Sequence, residues 1–71
     1  MPAASPEITV VIPVYNEQKL VAEAATQFAA ALDALGWDYE LILAENGSKD
    51  DTAKIVDGLA AANPRIRALH E

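Results

Sequence analysis

The feature that most constrains this chain is residues 8–17, Ile-Thr-Val-Val-Ile-Pro-Val-Tyr-Asn-Glu, where an apolar β-branched run breaks into an aromatic, amide and acidic cluster. A run rich in Val and Ile without clean alternation of apolar and polar positions predicts a strand buried on both faces, the pattern of a parallel sheet covered by helices. In open α/β sheets ligands bind outside the carboxyl ends of the strands. Tyr15, Asn16 and Glu17 therefore stand at the productive edge by position alone.

The rest of the chain supplies the partners such a strand needs. Val21, Ala25, Phe28, Leu32 and Leu35 recur at helical spacing and predict one apolar stripe on a helix over about 17–35. Alanines at 22, 24, 29, 30, 31 and 34 raise its propensity and permit close packing on a sheet. Asn16 suits the N-cap and Gly36 the terminator. Residues 39–44, centred on Leu41-Ile42-Leu43, predict a second buried strand. Strand, helix and strand make a crossover unit with parallel strands, which brings Ala44, Glu45 and Asn46 to the edge that holds Tyr15, Asn16 and Glu17.

Residues 47–52 read as a turn and a helix start, with Ser48 as cap and Asp50 and Asp51 at the positive end of the helix dipole. A second helix over about 50–62 buries Ile55, Val56, Leu59 and Ala62, Asn63-Pro64 stops it, and residues 65–69 form a third strand. Asp50, Asp51 and Thr52 are read as helix-start residues only, Trp37 as packing at the helix–strand junction, and His70 as a lone histidine with no metal or base chemistry. Three strands and two helices leave apolar sheet surface and an edge uncovered, so the fold class expected is α/β, a β-α-β-α-β piece of a larger domain. Residues 1–7 read as a disordered leader and 8–71 as the incomplete domain.

Composition narrows the function classes. Eleven acidic residues against five basic give a net charge of −6, which argues against a nucleic-acid partner. Cysteine is absent, so neither disulfides nor thiolate metal sites staple the chain. No apolar run approaches the roughly 20 residues that span a bilayer, which makes a cytoplasmic segment the expectation. The first strand is followed by neither a Gly-rich dinucleotide turn nor a Gly-Lys-Ser/Thr phosphate loop, and no strand ends in a phosphoacceptor aspartate.

Pro13-Val14-Tyr15-Asn16-Glu17, followed by Glu45-Asn46-Gly47-Ser48-Lys49-Asp50-Asp51-Thr52, resembles the N-terminal signature of the family 2 inverting glycosyltransferases of GT-A fold, a Rossmann-like fold. That family shows a strand ending in Pro-x-Tyr-Asn-Glu and a second ending in Asp-Asp-Gly-Ser-x-Asp-x-Thr. The likeness spans residues 8–69. Glu17 and Asp38-Tyr39-Glu40-Leu41-Ile42 resemble most the branch that moves sugars onto polyprenyl phosphates, as dolichol-phosphate mannose synthases do.

The resemblance implies a half-site for the nucleotide of a UDP- or GDP-linked sugar at the carboxyl ends of the strands. Pro13 and Tyr15 would line the base, Glu17 would accept hydrogen bonds from base or ribose, and Glu45 and Asn46 stand where the family has its Asp-Asp pair. Asn for Asp replaces a pure acceptor with an amide that both donates and accepts. The resemblance also implies a divalent metal, Mg or Mn, whose Asp-x-Asp ligands lie beyond Glu71, and a general base further on. Catalytic residues are therefore not expected within this segment, and it is expected to be inactive alone. A polyprenyl-phosphate acceptor would put the enzyme at the inner face of a membrane, with contact through regions beyond these residues. The competing expectation is a non-catalytic α/β module that binds nucleotide or serves as an interaction surface.

Overall fold

The structure is a computed structural model and describes residues 6–71. Its elements run β1 (Ile8–Val14), α1 (Val21–Ala34), β2 (Tyr39–Glu45), α2 (Thr52–Ala62) and β3 (Ile66–His70). The strands form one parallel sheet in the order β1-β2-β3, with Ile8 opposite Tyr39, Val14 opposite Glu45, and Glu45 opposite His70. The β-α-β-α-β arrangement expected from the sequence is thus present. Of the expected leader, residues 1–5 lie outside the described residues. Glu7 is tied to the domain: its amide donates to Asp38 O at 2.7 Å, and its carboxylate accepts from Asp38 N at 3.1 Å.

Period-2 alternation divides the sheet into two unlike faces. Tyr39, Leu41, Leu43 and Glu45 of β2 are buried, and Val14 and Ile66 join them from the flanking strands. Val21, Ala25, Ala29 and Leu32 of α1 and Val56 of α2 pack against this same face, with Ile8, Val10, Ile12, Ile55, Leu59, Ala60 and Ala68 around them. Leu41, Leu43 and Val56 are nearly or fully buried, and each such side chain contributes roughly 1.5–3 kcal/mol relative to exposure. On the other face Thr9, Val11 and Pro13 are exposed, Val11 at 56%. This corrects the expectation that the first strand is buried on both sides: both helices cover one face and leave the other open.

Helix α1 also departs from expectation at its start and along its stripe. Asn16 is not its N-cap. It adopts a left-handed backbone, φ 49°, which turns the chain away from helix, and a turn over residues 18–20 intervenes before regular helix begins at Val21. Leu20 and Val21 amides both donate to Glu17 O at 2.9 Å. Ala29 takes the buried position expected for Phe28, which is 42% exposed, and Leu35 is 61% exposed. Alanine supplies two of the four buried positions of α1, Ala25 and Ala29, beside Val21 and Leu32. Gly36 does end the helix in the left-handed conformation, φ 72°, as its chemistry suggests. Trp37, expected to pack at the junction that follows, is 47% exposed there.

Candidate functional site

Two loops meet at the carboxyl edge of the sheet, residues 15–20 after β1 and 46–51 after β2. Their backbones are sewn together by side chains in two reciprocal pairs. Asn16 N donates to Ser48 Oγ at 3.0 Å, and Lys49 N donates to Asn16 Oδ1 at 2.7 Å. Gln18 N donates to Asp50 Oδ2 at 3.3 Å, and Asp51 N donates to Gln18 Oε1 at 3.0 Å. Between the pairs, Glu17 N donates to the fully buried Thr52 hydroxyl at 2.8 Å. Amides left without helical partners near the start of α1 are thereby satisfied across the gap rather than along their own chain.

This interlock reassigns several residues. Ser48 does not cap α2; Asp50 accepts the Thr52 amide at 2.9 Å and serves that end instead. Asp50 and Thr52, read from sequence as helix-start residues only, also hold the 15–18 segment. The Thr52 hydroxyl, aided by the Thr52 and Gln18 amides, holds the Asp50 carboxyl below its usual range against the opposing pull of desolvation.

Five residues were singled out as ligand-binding from the sequence, and the fold brings them to one edge in different attitudes. Tyr15 is 55% exposed just past β1. Asn46 is exposed beside it, its amide donating to Val14 O at 3.1 Å. Pro13 is exposed on the open face of the sheet, opposite Ala44 in register. Glu17 is exposed, and its Oε1 accepts from Tyr15 N at 3.3 Å, which leaves carboxylate surface available to a ligand. Of the five, only Glu17 lines the adjoining concavity of about 360 Å³, whose other walls are Asn16, Gln18, Lys19, Leu20 and Asp50.

Glu45 differs from the other four in being buried, at 4% exposure. Its Oε2 accepts the Ser48 amide at 2.5 Å, closing the 45–48 turn that carries Asn46 and Gly47, the latter left-handed at φ 61°. Its Oε1 lies 2.8 Å from His70 Nδ1, and His70 Nε2 lies 2.7 Å from Asp57 Oδ1 on α2. The His70 imidazole, followed by the Ser48 amide, holds the Glu45 carboxyl below its usual range. Asp57 and then Glu45 raise the His70 pKa above its ordinary value. His70 is the residue that sequence reading passed over. The register that places it opposite Glu45 comes from strand pairing, which no local pattern around residue 70 displays.

Chemically the edge offers an aromatic face, an amide and a carboxylate. Among the described residues, no three His, Cys, Asp or Glu side chains are grouped so as to hold a metal ion. The donor set needed for the divalent cation implied by the resemblance is therefore not assembled among these residues. Nor, among the described residues, is any helix long and apolar enough to cross a membrane.

Residues 9–71 match the family described as Glycosyl transferase family 2. The chain is 43% identical over 54 residues to an undecaprenyl-phosphate 4-deoxy-4-formamido-L-arabinose transferase of Shewanella sediminis (strain HAW-EB3), covering 76% of this chain and 16% of that protein. It is 45% identical over 62 residues to the protein of the same name from Edwardsiella ictaluri (strain 93-146), covering 87% of this chain and 19% of that protein. The chain thus spans less than a fifth of the length of these curated relatives.

Proposed function

The chain belongs to glycosyl transferase family 2, and from that membership we propose that its sheet edge holds the nucleoside end of a nucleotide-diphosphate sugar, the donor in a sugar transfer. The observation that carries this reading is the parallel register of Val14 with Glu45, which brings exposed Tyr15 and Asn46 together where α/β sheets take ligands. Tyr15 offers a π-face to the base, with Pro13 at its flank. Asn46 meets the base edge or ribose as both donor and acceptor, and Glu17 accepts from base N–H or ribose hydroxyl groups. Glu45 acts at the same edge through the turn that it closes.

The two loops at the edge carry Glu17, Asp50 and Asp51 against Lys19 and Lys49, and Glu45 closes β2 beneath them, in a chain of net charge −6. Such a surface suits the neutral N–H and O–H donors of a nucleoside and repels a diphosphate, whose charge is to be neutralised by groups other than these. In the transfer, an acceptor oxygen bonds to the anomeric carbon as the bond to the leaving diphosphate breaks, with inversion. The residues described here bind and orient the donor; none is assigned to making or breaking that bond. The names of the relatives support a polyprenyl phosphate as acceptor, and a lipid-linked acceptor would bring the transfer to a membrane surface.

Titrating the labelled chain with UDP and then GDP, each with and without Mg²⁺, tests the reading by amide NMR. Saturable shifts centred on residues 15–17 and 45–48 are expected for the correct base. A well-dispersed spectrum unmoved by either nucleotide overturns it.

A further inference from the structure

The imidazole of His70 is enclosed at both nitrogens by carboxylates from two other elements. Glu45 Oε1 at the end of β2 is 2.8 Å from Nδ1, and Asp57 Oδ1 on α2 is 2.7 Å from Nε2. A neutral imidazole carries one N–H, so one of these contacts would set a ring lone pair against a carboxylate; two donated hydrogen bonds require the imidazolium. Glu45 in turn spends its second oxygen on the Ser48 amide, and it is almost wholly buried. The 45–48 turn, with Asn46 at its tip, therefore rests on a buried carboxylate whose lateral position is set by a cation held from α2. We propose that His70 is a positioning residue for nucleotide binding: bridging Asp57 and Glu45, it fixes the carboxylate beneath the 45–48 turn and so sets where Asn46 meets the ligand. The inference rests on the proposed nucleotide site and deepens it.

The groups facing the imidazole are Glu45 from β2 and Asp57 from α2, both anionic, and both raise its pKa. Losing the ring proton weakens one of the two contacts. Nucleotide affinity therefore falls as pH rises through the His70 titration, although no group contacting the nucleotide has changed charge.

The test compares wild type, His70→Gln and Asp57→Asn by amide NMR, each titrated from about pH 5.5 to 8.5 and with UDP and GDP. Glutamine donates to one carboxylate and cannot bridge two. For whichever nucleotide wild type binds, His70→Gln is expected to bind about tenfold more weakly, the equivalent of one charge-assisted hydrogen bond, and to lack the decline that wild type shows beyond the ionisation of the nucleotide's own phosphate. Asp57→Asn changes a side chain that is 64% exposed; it is expected to shift the affinity decline to lower pH. In both variants the Asn46, Gly47 and Ser48 amides move in the absence of nucleotide. If the variants match wild type in affinity and pH profile, the positioning role is overturned while the nucleotide site stands. A wild type that binds neither nucleotide, yet shows the 46–48 amides titrating with His70, overturns the site itself and reduces His70 to a brace of the turn.

Discussion

Glu45 and His70 lie opposite one another at the carboxyl ends of β2 and β3, and Glu45 Oε1 is 2.8 Å from His70 Nδ1. Because Asp57 faces the other ring nitrogen, one imidazole ties both strand ends to α2. The same carboxylate closes the turn that follows β2. Fold stability and the geometry of the sheet edge are therefore linked through one titratable group, whose pKa the two carboxylates raise.

Stability should peak in mildly acidic solution. His70 has a native pKa above its ordinary 6.5, so its contribution is complete below that value and is lost as pH rises through the raised native one. Glu45 has a native pKa below its ordinary 4.5, so its contribution is complete above that value and is lost as pH falls through the lowered native one. Urea midpoints are accordingly highest at about pH 5–6 and decline on the alkaline side. His70→Gln should lower the plateau and abolish the alkaline decline. A wild-type midpoint that stays level from about pH 6 to 9 contradicts the assignment.

Thr52→Val separates the interlock of the two loops from simple packing. The side chain is fully buried, its hydroxyl accepts the Glu17 amide at 2.8 Å, and it donates to the Asp50 carboxylate. Valine preserves the shape and leaves the part-buried Glu17 amide without its acceptor, at a cost of about 1–3 kcal/mol. Hydrogen exchange at the Glu17 amide should accelerate well beyond the global change. Thr52→Ser keeps the hydroxyl and should leave that amide protected, even where the lost methyl lowers the urea midpoint.

The strands and crossovers were legible because each rests on a local pattern. The β-branched run of residues 8–14, the apolar triplet at 41–43 and the stop at Asn63-Pro64 all say where an element lies without reference to the others. What escaped is long-range. Asn16 has the chemistry of an N-cap, yet its carbonyl oxygen Oδ1 is taken by Lys49 N, a partner 33 positions away. His70 gains its meaning only from register with Glu45. The binding residues were readable as a cluster at one edge, but the difference between exposed Asn46 and buried Glu45, adjacent in sequence, follows from which face of β2 the helices cover.

Leu41 of β2 and Phe28 of α1 provide a direct comparison of two large apolar side chains. Leu41 has no exposed surface, and Leu41→Ala should cost about 2–5 kcal/mol. A native domain of ordinary stability has only about 5–15 kcal/mol in total, so this variant should lose a large share of it. Phe28 is 42% exposed, with Ala29 beside it facing the sheet. Phe28→Ala should cost under about 1 kcal/mol, as surface substitutions do. Equal losses in urea denaturation would return Phe28 to the core and shift the helix face.

Tyr15 gives the clearest separation of recognition from folding. More than half of its surface is exposed, and the strand preceding it is anchored by Val14, which is buried. Its ring therefore contributes little to the core, while standing beside Asn46 at the carboxyl edge. Aromatic stacking on a base is worth about 1–3 kcal/mol when removed by alanine substitution, or roughly five- to 150-fold in affinity. Tyr15→Ala should therefore weaken nucleotide binding by a factor in that range while leaving the urea midpoint close to wild type. Tyr15→Phe should retain most of the affinity, since the stacking face is kept and only the hydroxyl is lost. Calorimetric or NMR titration of the three proteins decides between them. If Tyr15→Ala binds as tightly as wild type, the base sits elsewhere, and the concavity beside Glu17 and Asp50 becomes the place to look for it.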